Sequence, residues 1–257
     1  MTTLVIHDFR KDYFELNLAA YTLSFDDGLY SQYYYYPLLN PVDSASFFFI
    51  ITSFIKPGKA RERFNGEYIK SVKSRHYMND AFINNDFSHF MNLEEIQALA
   101  AHAGVRIGAH SHFHDVIVHD SPPKKPTSQW KIDRLGYHPE KMNPGTSIRS
   151  RLAFQGFQLR DGKLVPRKQT DWMDYIKYDT EQSLKWFEEN LGFAPEIYGL
   201  PFNECSDRMI EVLESFGFKE FYGKPSKNKK IHARLDIDKL VPQKGAKKRS
   251  NLPWEKF

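Results

Sequence analysis

Tyr21-Thr22-Leu23-Ser24-Phe25-Asp26-Asp27-Gly28 and Val105-Arg106-Ile107-Gly108-Ala109-His110-Ser111-His112-Phe113-His114 share one design. Each is a short β-prone run that ends abruptly in a polar cluster, the pattern of a strand terminus opening into a loop. Two adjacent carboxylates repel unless a cation or a proton separates their roles. If one of them binds a metal, the other is free to act as a base. His110 and His114 are four residues apart, and on a helical turn that spacing puts both rings on one side within about 6 Å, close enough for one ion. Two imidazoles and a carboxylate suit zinc and leave a coordination position open for water. Taken singly, an Asp-Asp-Gly tripeptide is also an ordinary solvated turn, and a run of histidines is also a surface loop. The two clusters together, each at a strand end, are what point to a metal site built from one of the two aspartates with His110 and His114.

Working outward, the same order recurs. Ala45 to Phe54 is densely apolar and reads as a buried strand of a parallel sheet. Asn92 is a fitting N-cap for a helix from about Leu93 to Ala103, with Glu94 and Glu95 in its first turn and Gly104 ending it. Thr180 to Leu191 shows helical spacing of Leu184, Phe187 and Leu191 and stops at Gly192. Strands are expected at Glu196 to Leu200 and at Lys219 to Tyr222, with a helix capped by Ser206 between them. The succession of strand, polar loop, helix, glycine and strand argues for an α/β architecture around a parallel sheet. The polar clusters follow strands, and the C-terminal edge of the strands is where βα-barrels assemble their sites. Two segments interrupt the repeat, at about 57–90 and 121–172. The second contains a hairpin with strands Ser150 to Leu159 and Leu164 to Arg167, turning at Asp161-Gly162. Insertions of this length often serve as lids or binding loops.

The 257 residues are 41% hydrophobic and 26% charged, a globular composition with enough apolar side chains for a full core. Aromatic residues reach 15%, with 21 Phe and 14 Tyr; most are expected to fill the core, and some suit the C–H face of a sugar ring. The formal charge of +4 is concentrated near the C-terminus, in Lys224, Lys227, Lys229, Lys230, Lys244, Lys247, Lys248 and Arg249. That run fits a solvated surface, or an attraction for phosphates. No nucleic-acid motif accompanies it. The single cysteine, Cys205, excludes an internal disulfide. The first twenty residues lack the apolar region of a signal peptide, and no stretch approaches the length of a membrane span. A cytoplasmic location is the expectation. No G-x-S-x-G, phosphate loop or dinucleotide fingerprint is present.

The two decisive stretches resemble the first two motifs of the polysaccharide deacetylases, the NodB-homology or carbohydrate esterase family 4 group. Those motifs are T/S-F-D-D-G and, after I-G-x, H-S/T-x-x-H. Ala45-Ser46-Phe47-Phe48-Phe49-Ile50 looks like the family's A-T-F-F-V strand. Ser183 to Gly192 resembles its S-K-x-x-L-E-x-x-L-G helix. The likeness covers most of residues 20 to 240 outside the insertions. It implies a distorted (β/α) barrel with two insertions, read as one catalytic domain over 1–257. It also implies one divalent ion, with zinc expected, on Asp27, His110 and His114, and Asp26 as the base that activates water. The substrate would be an acetylated sugar, and removal of N-acetyl groups the reaction. Nucleotide-linked and lipid-linked sugars of surface-polysaccharide, O-antigen-like biosynthesis are the expected context.

The sequence departs from the family at its third and last motifs. The usual R-x-P-Y is here Gly199-Leu200-Pro201-Phe202, without the arginine that orients the base, although some branches carry F-A-x-P-Y-G, which Tyr198 to Asn203 resembles. Phe202 sits at the aromatic position whose residue donates to the oxyanion, and Pro201, Phe202, Asn203 and His112 are the expected substrate contacts. The last motif normally supplies an acid in an L-x-H context. Only Ile231-His232-Ala233-Arg234-Leu235-Asp236 is available, so His232 is the candidate acid on a strand that also carries Arg234. His112 is a second candidate for that role. Two other readings fit part of the pattern. One is a sugar-binding relative without catalysis. The other is an amidohydrolase-type site using His110-x-His112, although an H-x-H pair of that kind comes on the first strand, a place here taken by Asp26-Asp27.

Overall fold

A computed structural model describes residues 2–39, 45–120, 128–136 and 146–241 of the chain. Lys244, Lys247, Lys248 and Arg249 of the basic run lie outside the described residues, as does the Pro- and Lys-rich start of the second insertion. In chain order the elements are β1 (Thr3–Ile6), β2 (Thr22–Phe25), α1 (Tyr30–Tyr35), β3 (Ser46–Ile50), α2 (Ser74–Asn84), α3 (Leu93–Ala100), β4 (Val105–Ala109), β5 (Val116–Asp120) and α4 (Gln129–Leu135). They continue with β6 (Thr146–Ser150), β7 (Phe157–Arg160), β8 (Lys163–Pro166), α5 (Gln169–Leu191), β9 (Ile197–Gly199), α6 (Asp207–Ser215), β10 (Glu220–Gly223) and β11 (Ile231–Asp236).

Strands β1, β11, β10, β9, β4, β3 and β2 close in that order into a barrel, and every neighbouring pair is parallel. The expected (β/α) barrel is therefore present. Alternation along β3 shows how its two faces are used. Phe48 and Ile50 join the large core beneath the helices, whereas Phe47 and Phe49 form a separate cluster with Ile197 and Tyr222 in the barrel interior. Both faces of β3 are thus buried, which is why its sequence reads as an unbroken apolar run. The interior is tight. A Cβ on Gly199 would stand 2.5 Å from Cγ of Phe49, and one on Gly108 would stand 2.8 Å from Cδ1 of the same ring.

The cap of α3 forms as its sequence predicts. The Asn92 side chain accepts from the Glu95 N–H, and the Glu95 carboxylate accepts from the Asn92 N–H. Helix α5 begins well before Thr180. Its buried stripe runs Trp172, Ile176, Asp179, Thr180, Ser183 and Phe187, so the middle of the stripe is polar and hides the helical period from an apolar count.

The two insertions pack on one another. The first holds α2, and the second holds α4 and three strands that join β5, just before it, in a four-stranded antiparallel sheet of order β6-β5-β7-β8. The hairpin turn at Asp161-Gly162 is as expected, with both residues at positive φ (49° and 74°). The single strand expected from Ser150 to Leu159 is instead split. Arg167 donates to the carbonyls of Arg151, Phe154 and Gln155, and this draws the chain between β6 and β7 into a turn. Phe82 of α2 stacks on Trp130 of α4 with ring centroids 4.8 Å apart and planes at 6°. Among the described residues no helix is long and apolar enough to cross a membrane.

Candidate active site

Asp26 and Asp27 leave the C-terminal end of β2, and His110 leaves the C-terminal end of β4, one strand beyond β3. The Asp26 N–H donates to Ile6 O and the His110 N–H to Ile50 O, so both residues extend the ladder by one step. Asp27 then takes φ 72° and Gly28 φ 76°. This sharp turn separates the two carboxylates: Asp26 faces the barrel interior and Asp27 faces the histidines. A non-glycine residue in this region is strained, and at Gly28 even a Cβ would meet Ile50 at 3.1 Å.

The segment from Ser111 to His114 carries the same kind of strain, with Ser111 at φ 74° and His114 at φ 52°. One buried group holds it. The Asp179 carboxylate of α5 accepts from Ser111 Oγ (2.9 Å), the His112 N–H (3.0 Å) and the Phe113 N–H (3.0 Å). Ser111 Oγ in turn accepts from the His114 N–H (2.8 Å). Burial pushes the Asp179 carboxyl up to about 6, against these donors. The polar centre of α5 is therefore the support of the histidine loop.

Asp27, His110 and His114 are all buried, and one ligand atom of each lies within 4.8 Å of the others. Asp27 Oδ1 is 3.4 Å from His110 Nε2 and 3.9 Å from His114 Nε2. The far side of each of two ligands is held. Tyr77 of α2 donates its hydroxyl to Asp27 Oδ2 at 2.8 Å, and His110 Nδ1 lies 2.8 Å from the Gly199 carbonyl. A carbonyl only accepts, so Nδ1 carries the proton and the lone pair of Nε2 faces Asp27. This is the arrangement that fixes a metal-binding imidazole in its tautomer. The donor set, the held far sides and the convergence of two imidazoles and a carboxylate fit a zinc-like divalent ion. Burial lowers His114 to about 3 and so favours its neutral, ligating form.

Asp26 is matched to a residue far away in sequence. Arg234, from β11, donates Nη1 to Asp26 Oδ1 (2.5 Å) and Nη2 to Asp26 Oδ2 (2.9 Å), and Nη2 also reaches Asn203 Oδ1 (2.9 Å). Burial alone pushes the Asp26 carboxyl up, but the Arg234 charge outweighs it and holds it below the ordinary carboxylate value. The arginine missing before Pro201 is thus replaced in space from another strand. His7, the residue after β1, places Nε2 4.0 Å from Asp26 Oδ2 and is part exposed.

A cavity of about 180 Å³ opens over these groups, lined by His7, Asp26, Asp27, His110 and His114. Its walls come from the insertions and the third motif: Ser74 and Met78 of α2, Trp130 and Lys131 of α4, and Phe202 and Asn203 after β9. The Phe202 ring packs on His114, with centroids 4.4 Å apart. Phe202 and Asn203 have φ of 58° and 53°, a kink that turns both toward the cavity.

Three of the expected contacts lie elsewhere. Pro201 is buried and starts the turn without lining the cavity. His112 points away from the triad; its Nδ1 lies 2.8 Å from Thr52 Oγ1, and neither the ligand group nor the cavity lining includes it. The H-x-H reading therefore fails on geometry. His232 is also not brought to the site, a correction to its reading as the acid. It sits two residues before Arg234 on β11, toward the opposite end of the barrel, half exposed, stacked on Tyr222 and 4.0 Å from Glu220. His7 and Arg234 are the groups the sequence reading did not place. His7 lies in a charged N-terminal stretch with no motif around it, and Arg234 reads in sequence only as part of a strand.

The fold matches solved structures over nearly its whole length. A de-N-acetylase from Aggregatibacter actinomycetemcomitans superposes with a TM-score of 0.59 at 14% identity, over 92% of this chain and 95% of that one. IcaB from Ammonifex degensii gives 0.52 at 14% identity, over 93% and 94%. The BpsB deacetylase domain from Bordetella bronchiseptica gives 0.53 at 15% identity, over 84% and 71%. The chain has the polysaccharide deacetylase fold. No family model and no curated protein matches it by sequence. In this deacetylase-type barrel the candidate site occupies the C-terminal strand ends, the usual position in βα-barrels.

Proposed function

We propose that the protein is a metal-dependent hydrolase that removes N-acetyl groups from a sugar, in the setting of surface-polysaccharide, O-antigen-like metabolism. The observation that carries this reading is the arrangement at one barrel mouth: a buried Asp27-His110-His114 group, an ionised Asp26 clamped by Arg234, and His7 beside it. The named deacetylases that share the fold support it. A divalent ion on the triad, with zinc the best fit to its ligands, would supply Lewis acidity toward the acetamide carbonyl and the attacking water.

The chain's own residues supply the remaining steps. Asp26, kept ionised by Arg234, takes the proton from the water as it attacks the carbonyl carbon. The C–N bond then breaks, and the leaving nitrogen requires a proton. His7 lines the cavity 4.0 Å from Asp26 and is outside the ligand group, and it donates that proton. The products are acetate and the free amine. Phe202 and Trp130 offer ring faces for the sugar, and the Phe202 backbone lies where the kinked turn can present a donor to the oxyanion. A second cavity of about 480 Å³ shares His7 and Ser74 with the first, and it gives room for further parts of the substrate.

The test is acetate release from N-acetylated sugars by zinc-loaded protein, alongside Asp26→Asn. Release by the wild type that Asp26→Asn abolishes, with metal still bound, supports the hydrolase. Metal and sugar binding without release by either protein would leave a binding relative instead.

A further inference from the structure

Among the charges lining the metal cavity, one makes no ion pair among the described residues. Asp26 is matched by Arg234, and Asp27 faces the two imidazoles and the ion they are suited to hold. Lys131 lines the same cavity, half buried, and its ammonium makes no hydrogen bond or ion pair among the described residues. The nearest acid acting on it is Glu204, but that carboxylate is already committed to Arg149 Nε at 2.6 Å and the Ser150 N–H at 2.9 Å. The Lys131 ammonium rests instead against aromatic faces, 4.6 Å from the centre of the Phe202 ring and 5.5 Å from that of Trp130. Burial lowers its pKa.

This position is built rather than incidental. Helix α4 is fixed by Phe82 stacked on Trp130, by the Trp130 N–H donated to Asn79 Oδ1 (3.0 Å), and by an ion pair of Arg134 with the buried Asp115 that follows His114. The Trp130 and Phe202 rings are near parallel, at 16° and 6.3 Å. Phe202 touches His114 with one part of its surroundings and Lys131 with another. Lys131 and the metal ligands line one cavity and pack on the same Phe202 ring, so the ammonium is placed to meet a further substituent of a sugar bound there.

We propose that Lys131 is a specificity-determining residue that binds an anionic oxygen, of a phosphate or a carboxylate, carried by the acetylated sugar. The inference rests on the deacetylase reading and narrows its substrate class to N-acetyl sugars bearing a negative charge near the amide. A charge-assisted hydrogen bond in a part-desolvated site is among the stronger polar contacts available.

The test compares N-acetylglucosamine, N-acetylglucosamine 1-phosphate and N-acetylmuramic acid on full-length, zinc-loaded protein. Binding is read by calorimetry and acetate release by steady-state kinetics. Wild type should bind one of the two anionic sugars about 10- to 100-fold more tightly than the neutral one. Whichever is preferred identifies phosphate or carboxylate as the charge. Lys131→Met should abolish that preference through KM, and Lys131→Arg should retain most of it. A wild type that binds all three alike or not at all, or a Lys131→Met variant that keeps the preference, overturns the proposal. Charge-selective binding without acetate release would sink the hydrolase reading while leaving the role of Lys131 standing.

Discussion

Arg234 and Asp26 are 208 residues apart in sequence and form a two-pronged, fully buried ion pair inside the barrel. Its energetic role is double. Removing one partner of a buried pair leaves a charge without solvent or counter-ion, at a cost of about 3–5 kcal/mol. It also sets the protonation of Asp26. Without the guanidinium, burial is unopposed and the carboxyl moves up. Asp26 must be ionised to accept a proton, so Arg234→Met should shift the acidic limb of kcat/KM to higher pH. It should also lower kcat at neutral pH by about 10²-fold or more. Arg234→Lys should restore part of the shift, since it returns the charge without the fork. An acidic limb that stays in place in Arg234→Met would rule out this role.

His7 and His232 are competing candidates for the acid, and their environments differ. His7 faces Asp26 at the cavity, whereas His232 stacks on Tyr222 toward the other end of the barrel. His7→Gln should lower kcat by roughly 10²- to 10⁴-fold with zinc content unchanged. His232→Gln should leave kcat within about twofold, as substitutions away from the reacting atoms generally do. A loss confined to His232→Gln would reverse the assignment.

The parts of this site that were legible in the sequence are local ones. Asp26-Asp27-Gly28 and His110 to His114 sit in contiguous stretches, so type and spacing alone carry their chemistry. The apolar run of β3 and the cap of α3 are local in the same sense. The groups that escaped are joined only by barrel closure. β1 pairs with both β2 and β11, and that closure brings His7 and Arg234 to Asp26 from the two ends of the described barrel. The insertions were visible as interruptions. That they wall the cavity through Ser74, Met78, Trp130 and Lys131 depends on helices packing across them, which no periodicity encodes. Asp179 was hidden for a different reason, because a buried acid in a helix looks in sequence like part of a solvated face.

Tyr77 tests the reach of the first insertion into the metal centre. Its hydroxyl is the partner of the Asp27 oxygen turned away from the histidines, and burial keeps it protonated and donating. Tyr77→Phe removes that bond while keeping the ring that packs on Phe90. Zinc affinity, measured by competition with a chromogenic chelator, should fall about 10- to 100-fold, with the melting temperature of the metal-free protein changed little. Asp27→Ala and His114→Ala should lose the ion outright. Unchanged affinity in Tyr77→Phe would show that Asp27 is oriented by its backbone alone.

Asp179 offers the same test from beneath the histidine loop. Three donors converge on its two oxygens, so Asp179→Asn places an amide N–H₂ opposite at least one N–H or O–H. The substitution is nearly isosteric yet should cost about 1–3 kcal/mol through the unsatisfied donors. It should also release the strained residues Ser111 and His114 and weaken zinc binding about tenfold or more. The pH dependence has a definite sign. Burial raises the folded-state value of Asp179 to about 6, so between the ordinary carboxylate range and about 6 the native state holds a proton that the unfolded chain has lost. The contribution of this group to stability is full below that window and is lost as pH rises through it. Denaturant melts of metal-free protein across that window should therefore show a decline with pH in the wild type that is shallower in Asp179→Asn. Equal slopes, together with undiminished zinc affinity, would mean that the loop holds its shape without this carboxylate.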